Sequence, residues 1–271
     1  MSSISKIYLQ IKSLIPVSLK KIPWYIFKSP QREVGFGTLW IELRGILFYL
    51  FHSLYFLLFK PKLKPISICT GLKNRSSNYL NIFLESVLKF DHSELIELSI
   101  FDCGSDDIAE LEVDIRKKWK GKLVFSQQKI EFSRSFAFNR AVEQSTHPII
   151  FICDADMTMP VDLVKRCNRF VFAKNVWFPV CFHLNPDMNE GYTKENGQWH
   201  PVGKGMFAAK KKYFVRIGMY DESFKQWGGE DCDLWLRFYK HGFFPYRNRQ
   251  KGLFHHFHES LKTVSFVPYS K

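Results

Sequence analysis

Between Ile66 and Asp156 four apolar runs, ISICT, LIELSIF, KLVFSQ and PIIFIC, alternate with segments whose apolar residues recur at helical spacing. The runs are rich in β-branched and aromatic residues and lack an in-out alternation, as in strands covered on both faces. Strands alternating with helices build a parallel sheet, and such sheets gather ligands at the carboxyl ends of their strands. Thr70, Asp102 and Asp154 all fall at such ends. The intervening helices are SNYLNIFLESVLKF, with Ser76 or Ser77 as N-cap, IAELEVDIRKKWK and SRSFAFNRAVEQ. Beyond Pro160 the pattern changes to a helix (DLVKRCNRFVF), a strand (VWFPVCF), a polar loop (NPDMNEGYTKENGQWH), and then strand, helix and turn (GKGMFAAKKKYFVRIGMYDESF). Next, QWGGEDCDLWLRFYKHG makes a tight glycine turn into a helix opened by Glu230, Asp231 and Asp233 and closed by Gly242.

Asp154 and Asp156 stand two apart where the fourth strand ends, so they share a face at roughly 6 to 7 Å. Two carboxylates in a partly dry place raise each other's pKa unless a cation or hydrogen bonds compensate. Oxygen ligands suit Mg²⁺ or Mn²⁺. A strand-end turn with both acids solvated is the alternative, and the pair alone does not decide between them. For Asp233, complementing the helix macrodipole is explanation enough. Gly228 and Gly229 let the backbone approach a ligand closely, with Glu230 and Asp231 facing the cleft that they open. His255 and His258, three apart, can present both rings to one ion. They can equally be ordinary members of a set of nine histidines. The Asp pair, the Gly-Gly-Glu-Asp turn and the His pair in this order carry more weight than any one of them.

The formal net charge of +13 is unevenly placed. Residues 1–64 hold ten Lys or Arg against Glu33 and Glu42, a net +8, which leaves +5 for the rest. The same extension carries GILFYLFHSLYFLLF (residues 45–59), followed by KPKLKP. As a helix these fifteen residues cover about 22 Å, short of a hydrocarbon core of about 30 Å. With IYLQIKSLIPVSLKKIPWYIF before it, the extension suits a segment lying in the interface of an anionic membrane. The competing reading is that these are amphipathic helices covering the main domain. The six cysteines sit mostly in apolar runs without a CxxC pair, as buried thiols of a reducing compartment do. The sequon Asn74-Arg75-Ser76 falls in the loop after the first strand, where a glycan would obstruct the site; this disfavours a secretory lumen.

The strings FSRSFAFNRA, FICDADM, FPVCFHLNP, WHPVGKGMF, IGMYDESFKQWGGEDCDLWLR and GLFHHFHE resemble the GT-A glycosyltransferases, in particular chondroitin N-acetylgalactosaminyltransferases and the related β-1,4-galactosyltransferases. The resemblance runs from about Ile66 to Glu259 and leaves out the first sixty residues. It implies an α/β fold of GT-A type, Rossmann-like, with a mostly parallel central sheet, flanking helices and a helical N-terminal extension. It divides the chain into residues 1–64, a glycosyltransferase domain over 65–260 and a tail over 261–271. Asp154-Ala155-Asp156 matches the DxD motif: Asp156 is implied as a ligand of Mn²⁺ or Mg²⁺, and Asp154 lies near the ribose and donor sugar and at the metal. His255 matches the histidine that completes the metal site, with His258 a second candidate. Asp231 matches the catalytic base, and Glu230 and Trp227 match positions lining the acceptor and donor-sugar pocket beside Gly228 and Gly229. Thr70, Arg75, Asp102 and Arg134 fall where such enzymes hold uridine and diphosphate. One departure is DCGS in the second strand's turn, with Cys103 where relatives have a second acid.

The expectation is therefore an inverting transferase that moves a hexose or N-acetylhexosamine from a UDP-sugar to a glycan or lipid-linked glycan acceptor. It would build surface polysaccharide at the cytoplasmic face of a bacterial membrane, in peripheral contact with it and without a nucleic-acid partner. Nucleotidyl transfer also uses paired aspartates and a Gly-Ser, but there the Gly-Ser lies about a dozen residues upstream. Here Gly104-Ser105 precedes Asp154 by about fifty. A basic membrane- or nucleic-acid-binding protein without catalysis is permitted by charge, yet the positive excess is in the extension and the acids sit at strand ends.

Overall fold

The computed structural model describes residues 36–107, 110–224 and 228–258. Nine strands form one sheet in the order β3-β2-β1-β4-β8-β6-β9-β5, with β7 paired to β6. The first four are β1 (Ile66–Leu72), β2 (Ile96–Asp102), β3 (Lys122–Gln127) and β4 (Ile149–Ile152). They are mutually parallel, with Leu72 opposite Asp102 and Cys69 opposite Ile152. Past β4 the sheet becomes mixed. There β8 (Phe207–Lys210) runs antiparallel to β4 and β6 (Asn175–Leu184), while β9 (Phe244–His255) is parallel to β6. Strand β5 (Met157–Thr158) and strand β7 (Gly197–Trp199) are short antiparallel additions to β9 and β6.

The apolar runs lack alternation because both sides of the sheet are covered. In β4, Ile149 and Phe151 belong to one core and Ile150 and Ile152 to the other. The second core includes Ala137, Phe138 and Val142 of the helix Arg134–Gln144 and Leu234 and Phe238 of the helix Glu230–Lys240. Helices α1 (Phe36–Phe59) and Leu163–Phe170, here α5, contribute Tyr49 and Phe170 to the first. Between them in sequence lie α2 (Ser76–Asn78, Tyr79–Leu84 and Glu85–Val87, the middle part a π-helix), α3 (Leu111–Lys118) and α4 (Arg134–Gln144); α6 (Lys211–Arg216) and α7 (Glu230–Lys240) follow. Helix α4 is capped by Ser133, whose hydroxyl accepts from Phe136 N at 3.4 Å.

Three elements differ from the sequence reading. Helix α2 has Arg75 at its N-cap position without a side-chain cap, because Ser76 is held through N and Oγ by Asp107 at 2.8 Å each. Helix α1 is already present at Phe36, the first described residue, ahead of the apolar run at 45–59 that signalled it. Strand β9 was not expected to be a strand of twelve residues, since its polar stretch and Gly252 (φ +81°) obscure its period. The segment IYLQIKSLIPVSLKKIPWYIF and the tail 261–271 lie outside the described residues.

Candidate active site

Three separated stretches meet at one corner of the sheet. The chain leaves β4 through Asp154 and Asp156 and at once enters β5, where Met157 pairs with His255 of β9. His256 N donates to the Asp156 carbonyl at 3.0 Å. This two-residue ladder brings the imidazoles to the carboxylate: His255 Nε2 lies 3.6 Å from Asp156 Oδ1 and His258 Nε2 lies 3.2 Å from Asp156 Oδ2. One ligand atom from each of the three falls within 4.8 Å of the others. Asp156 is 5% exposed, and its Oδ1 has no hydrogen-bond partner among the described residues. Burial pushes this carboxyl above its usual range, with Asp154 adding to the effect and His255, His258 and Arg75 opposing it. A buried carboxylate oxygen without a donor, faced by two imidazoles, is a mixed N/O set suited to a borderline divalent cation. The residues fit a metal of the Mn²⁺ kind. Asp154, also expected at the metal, is not in this three-residue group; its Oδ1 faces Arg134 Nε and Nη2 at 3.4 and 3.3 Å.

Arg134 links this corner to the glycine turn. Its Nη1 lies 3.5 Å from Glu230 Oε1, and its Nη2 donates to the Gly205 carbonyl at 2.8 Å. Burial works against its charge but is outweighed by Asp154, then Tyr220, Glu230 and Asp231, so its pKa is raised. Gly228 and Gly229 have φ of +111° and +93°, conformations that a side chain disfavours. Gly228 N donates to Glu230 Oε2 at 2.9 Å, so Glu230, buried at the start of α7, closes the turn on itself. Asp231, next in the chain, is only partly buried, and its Oδ2 accepts from Lys204 N at 3.2 Å. Asp233 pairs with Arg237 at 2.7 Å. Trp227 lies outside the described residues.

The expected nucleotide contacts separate into two groups. Arg75 reaches the metal corner, with Nη2 3.2 Å from His258 Nδ1. Thr70 is fully buried, its hydroxyl 3.8 Å from Cys153 Sγ, because β1 continues to Leu72. Asp102 is also fully buried: both oxygens accept from Ser105 N at 3.1 Å, Oδ1 from Ser105 Oγ at 2.6 Å and Oδ2 from Gln127 Nε2 at 2.7 Å. Cys103 beside it points into the second core, where burial lifts its thiol to about 11. All six cysteines are free thiols.

Sequence reasoning missed a row of stacked imidazoles. His183 lies 4.4 Å from His255 and 4.3 Å from His200 between ring centroids. His183 is the register partner of His255 across the parallel β6–β9 pair, a non-local relation that no spacing reveals. Burial, then the neighbouring histidines, lower its pKa to about 3, so it is neutral at ordinary pH.

The family model described as chondroitin N-acetylgalactosaminyltransferase matches residues 72–263, more than half of the chain. The chain belongs to that family. Mouse chondroitin sulfate synthase 3 is 27% identical over 173 residues, covering 58% of this chain and 20% of the relative. Human chondroitin sulfate N-acetylgalactosaminyltransferase 1 is 26% identical over 194 residues, covering 64% and 36%. The chain thus spans about a fifth to a third of the length of these curated relatives. Among solved structures, GalNAc-T7 with UDP, GalNAc and Mn²⁺ superposes with a TM-score of 0.57 at 16% identity, over 72% of this chain and 44% of that one. The mannosyltransferase PcManGT of Pyrobaculum calidifontis with GDP-Man and Mn²⁺ gives 0.54 at 12% identity, over 82% and 69%. S. aureus TarS 1–349 gives 0.55 at 16%, over 71% and 60%. These likenesses show the fold, which is that of GT-A glycosyltransferases.

Proposed function

We propose that the chain is a metal-dependent, inverting glycosyltransferase that moves a hexose or N-acetylhexosamine from a UDP-sugar to a hydroxyl of a glycan or lipid-linked glycan. In this reading it builds surface polysaccharide, peripherally, at the cytoplasmic face of a bacterial membrane. The observation that carries the reading is the convergence of Asp156, His255 and His258, tied through the Arg134 bridge to the turn that presents Asp231. The family relatives and GalNAc-T7 bound to UDP, GalNAc and Mn²⁺ support the same donor class.

Asp156, His255 and His258 would hold the cation, which when bound supplies Lewis-acid neutralisation of a leaving diphosphate. Arg75, beside His258, adds fixed positive charge on the same side. Asp231 accepts the proton of the acceptor hydroxyl as its oxygen attacks the anomeric carbon, and the bond from that carbon to the diphosphate oxygen breaks on the opposite face. One displacement inverts the centre. Lys204 N, bonded to Asp231 Oδ2, fixes the orientation of the base. Arg134 bridges Asp154 and Glu230 and so links the end of β4 to the glycine turn. The test is turnover of a panel of UDP-sugars with Mn²⁺, followed by Asp231→Asn. We expect this isosteric change to leave folding intact and remove transfer; near-normal activity in the variant refutes the assignment. Absence of turnover with any sugar nucleotide, together with tight DNA binding, favours the non-catalytic reading.

A further inference from the structure

Helix α1 is largely apolar from Gly45 to Phe59 and is docked on one face. Its inner face is fixed to the body along several turns: Tyr49 is buried, stacking on Tyr246 at 4.5 Å and Phe170 at 5.7 Å, and His52 stacks on Phe172 at 4.0 Å. Arg44 donates to the Gly242 carbonyl at 2.8 Å and Asn175 to the Gly45 carbonyl at 3.2 Å. A helix held this way lies along the domain, and no helix among the described residues is long and apolar enough to cross a membrane. The outer face is open. Phe51 is 70% exposed and Leu57 72%, with Trp40, Leu54 and Leu58 also exposed. A contiguous apolar face on this scale marks an interaction surface. At the end of the helix the chain presents Lys60, Lys62 and Lys64, all exposed, within a segment 1–64 of net charge +8. Basic residues next to an apolar helical face are complementary to anionic headgroups over acyl chains.

We propose that the outer face of α1 is a docking surface for an anionic lipid bilayer. The helix lies in the interface plane with Phe51, Leu54 and Leu58 among the acyl chains and Lys60 and Lys62 at the headgroups. A shallow apolar depression lined by Phe48, Phe51, His52, Tyr55, Phe172 and Ala173 lies beside it and extends the apolar surface. The docking rests on the peripheral placement proposed above and is independent of the chemistry. A chain that turns over UDP-sugar without binding vesicles would refute docking alone.

The test is sedimentation of the full chain with phosphatidylcholine vesicles, with and without phosphatidylglycerol. We expect binding to favour the anionic vesicles, and Leu54→Glu with Leu58→Glu to weaken it at least about tenfold. Val113→Glu with Val215→Glu, at exposed positions away from α1, should leave it unchanged, and Lys60→Glu with Lys62→Glu should remove the preference for anionic lipid. Independently of any folding defect in a variant, chain-brominated lipid should quench wild-type fluorescence, and Trp40→Phe should remove that quenched component. The proposal is overturned if the wild type ignores both vesicles, or if the Leu54/Leu58 variant binds as the wild type does. It is also overturned if the same variant instead breaks a lipid-independent dimer, or if exposure of α1 to quencher depends only on residues 1–35.

Discussion

Asp102 and Asp156 are both buried carboxylates at the carboxyl side of parallel strands, yet their surroundings are opposite. Every oxygen of Asp102 meets a donor from its own turn or from β3. Asp156 keeps one oxygen without a donor and faces two imidazoles. Burying a charged group costs free energy unless hydrogen bonds or a counter-charge offset it. The first carboxylate is satisfied by the chain itself, and the second is the one that the proposed cation would complete. Position at a strand end therefore does not tell the two surroundings apart; the inventory of partners does.

The sharpest way to break this contrast is Asp156→Asn. Titration calorimetry with Mn²⁺ should show affinity falling by at least about 100-fold, beyond the 10–100-fold that losing an outer-shell partner costs. Melting without metal should hold or rise, since a buried carboxyl that its surroundings push above its usual range is gone. Asp102→Asn should do the reverse, lowering stability by about 1 to 3 kcal/mol in urea titrations as Ser105 and Gln127 lose a charged acceptor, with Mn²⁺ affinity retained. Equal effects from the two variants would erase the distinction.

Gly229→Ala is expected to cost about 1 to 2 kcal/mol, because φ of +93° is retained by the Glu230 closure, and calorimetry checks it. The smallest effect concerns pH. His183 is held neutral to about 3, so between the usual imidazole value near 6.5 and about 3 the unfolded chain takes up a proton that the folded chain refuses. Stability falls as pH falls through that window. His183→Phe should flatten the melting profile below about pH 6.5 without moving it above; an unchanged slope counts against the assignment.

The parallel half of the sheet was readable because its strands are short and local, and β1, β2 and β4 are buried on both faces, which leaves an unbroken apolar signature; edge strand β3 is only half-buried. Asp156, His255 and His258 were readable by likeness to family motifs. What escaped is non-local. Nothing in NRQKGLFHH announces a strand lying beside residues 175–184, so the stacking of His183 on His255 and the meeting of Arg75 with His258 were invisible. The resemblance places Asp102 among the residues that hold uridine and diphosphate; that Ser105 and Gln127 donate to its oxygens is a tertiary relation no motif announces.

The pairing of Met157 with His255 ties the centre of the cation corner to a strand near the C-terminal end of the described chain. A ribosome must therefore translate through residue 258 before Asp156, His255 and His258 can meet. Chains ending before residue 255 would lack both imidazoles of the proposed cation site.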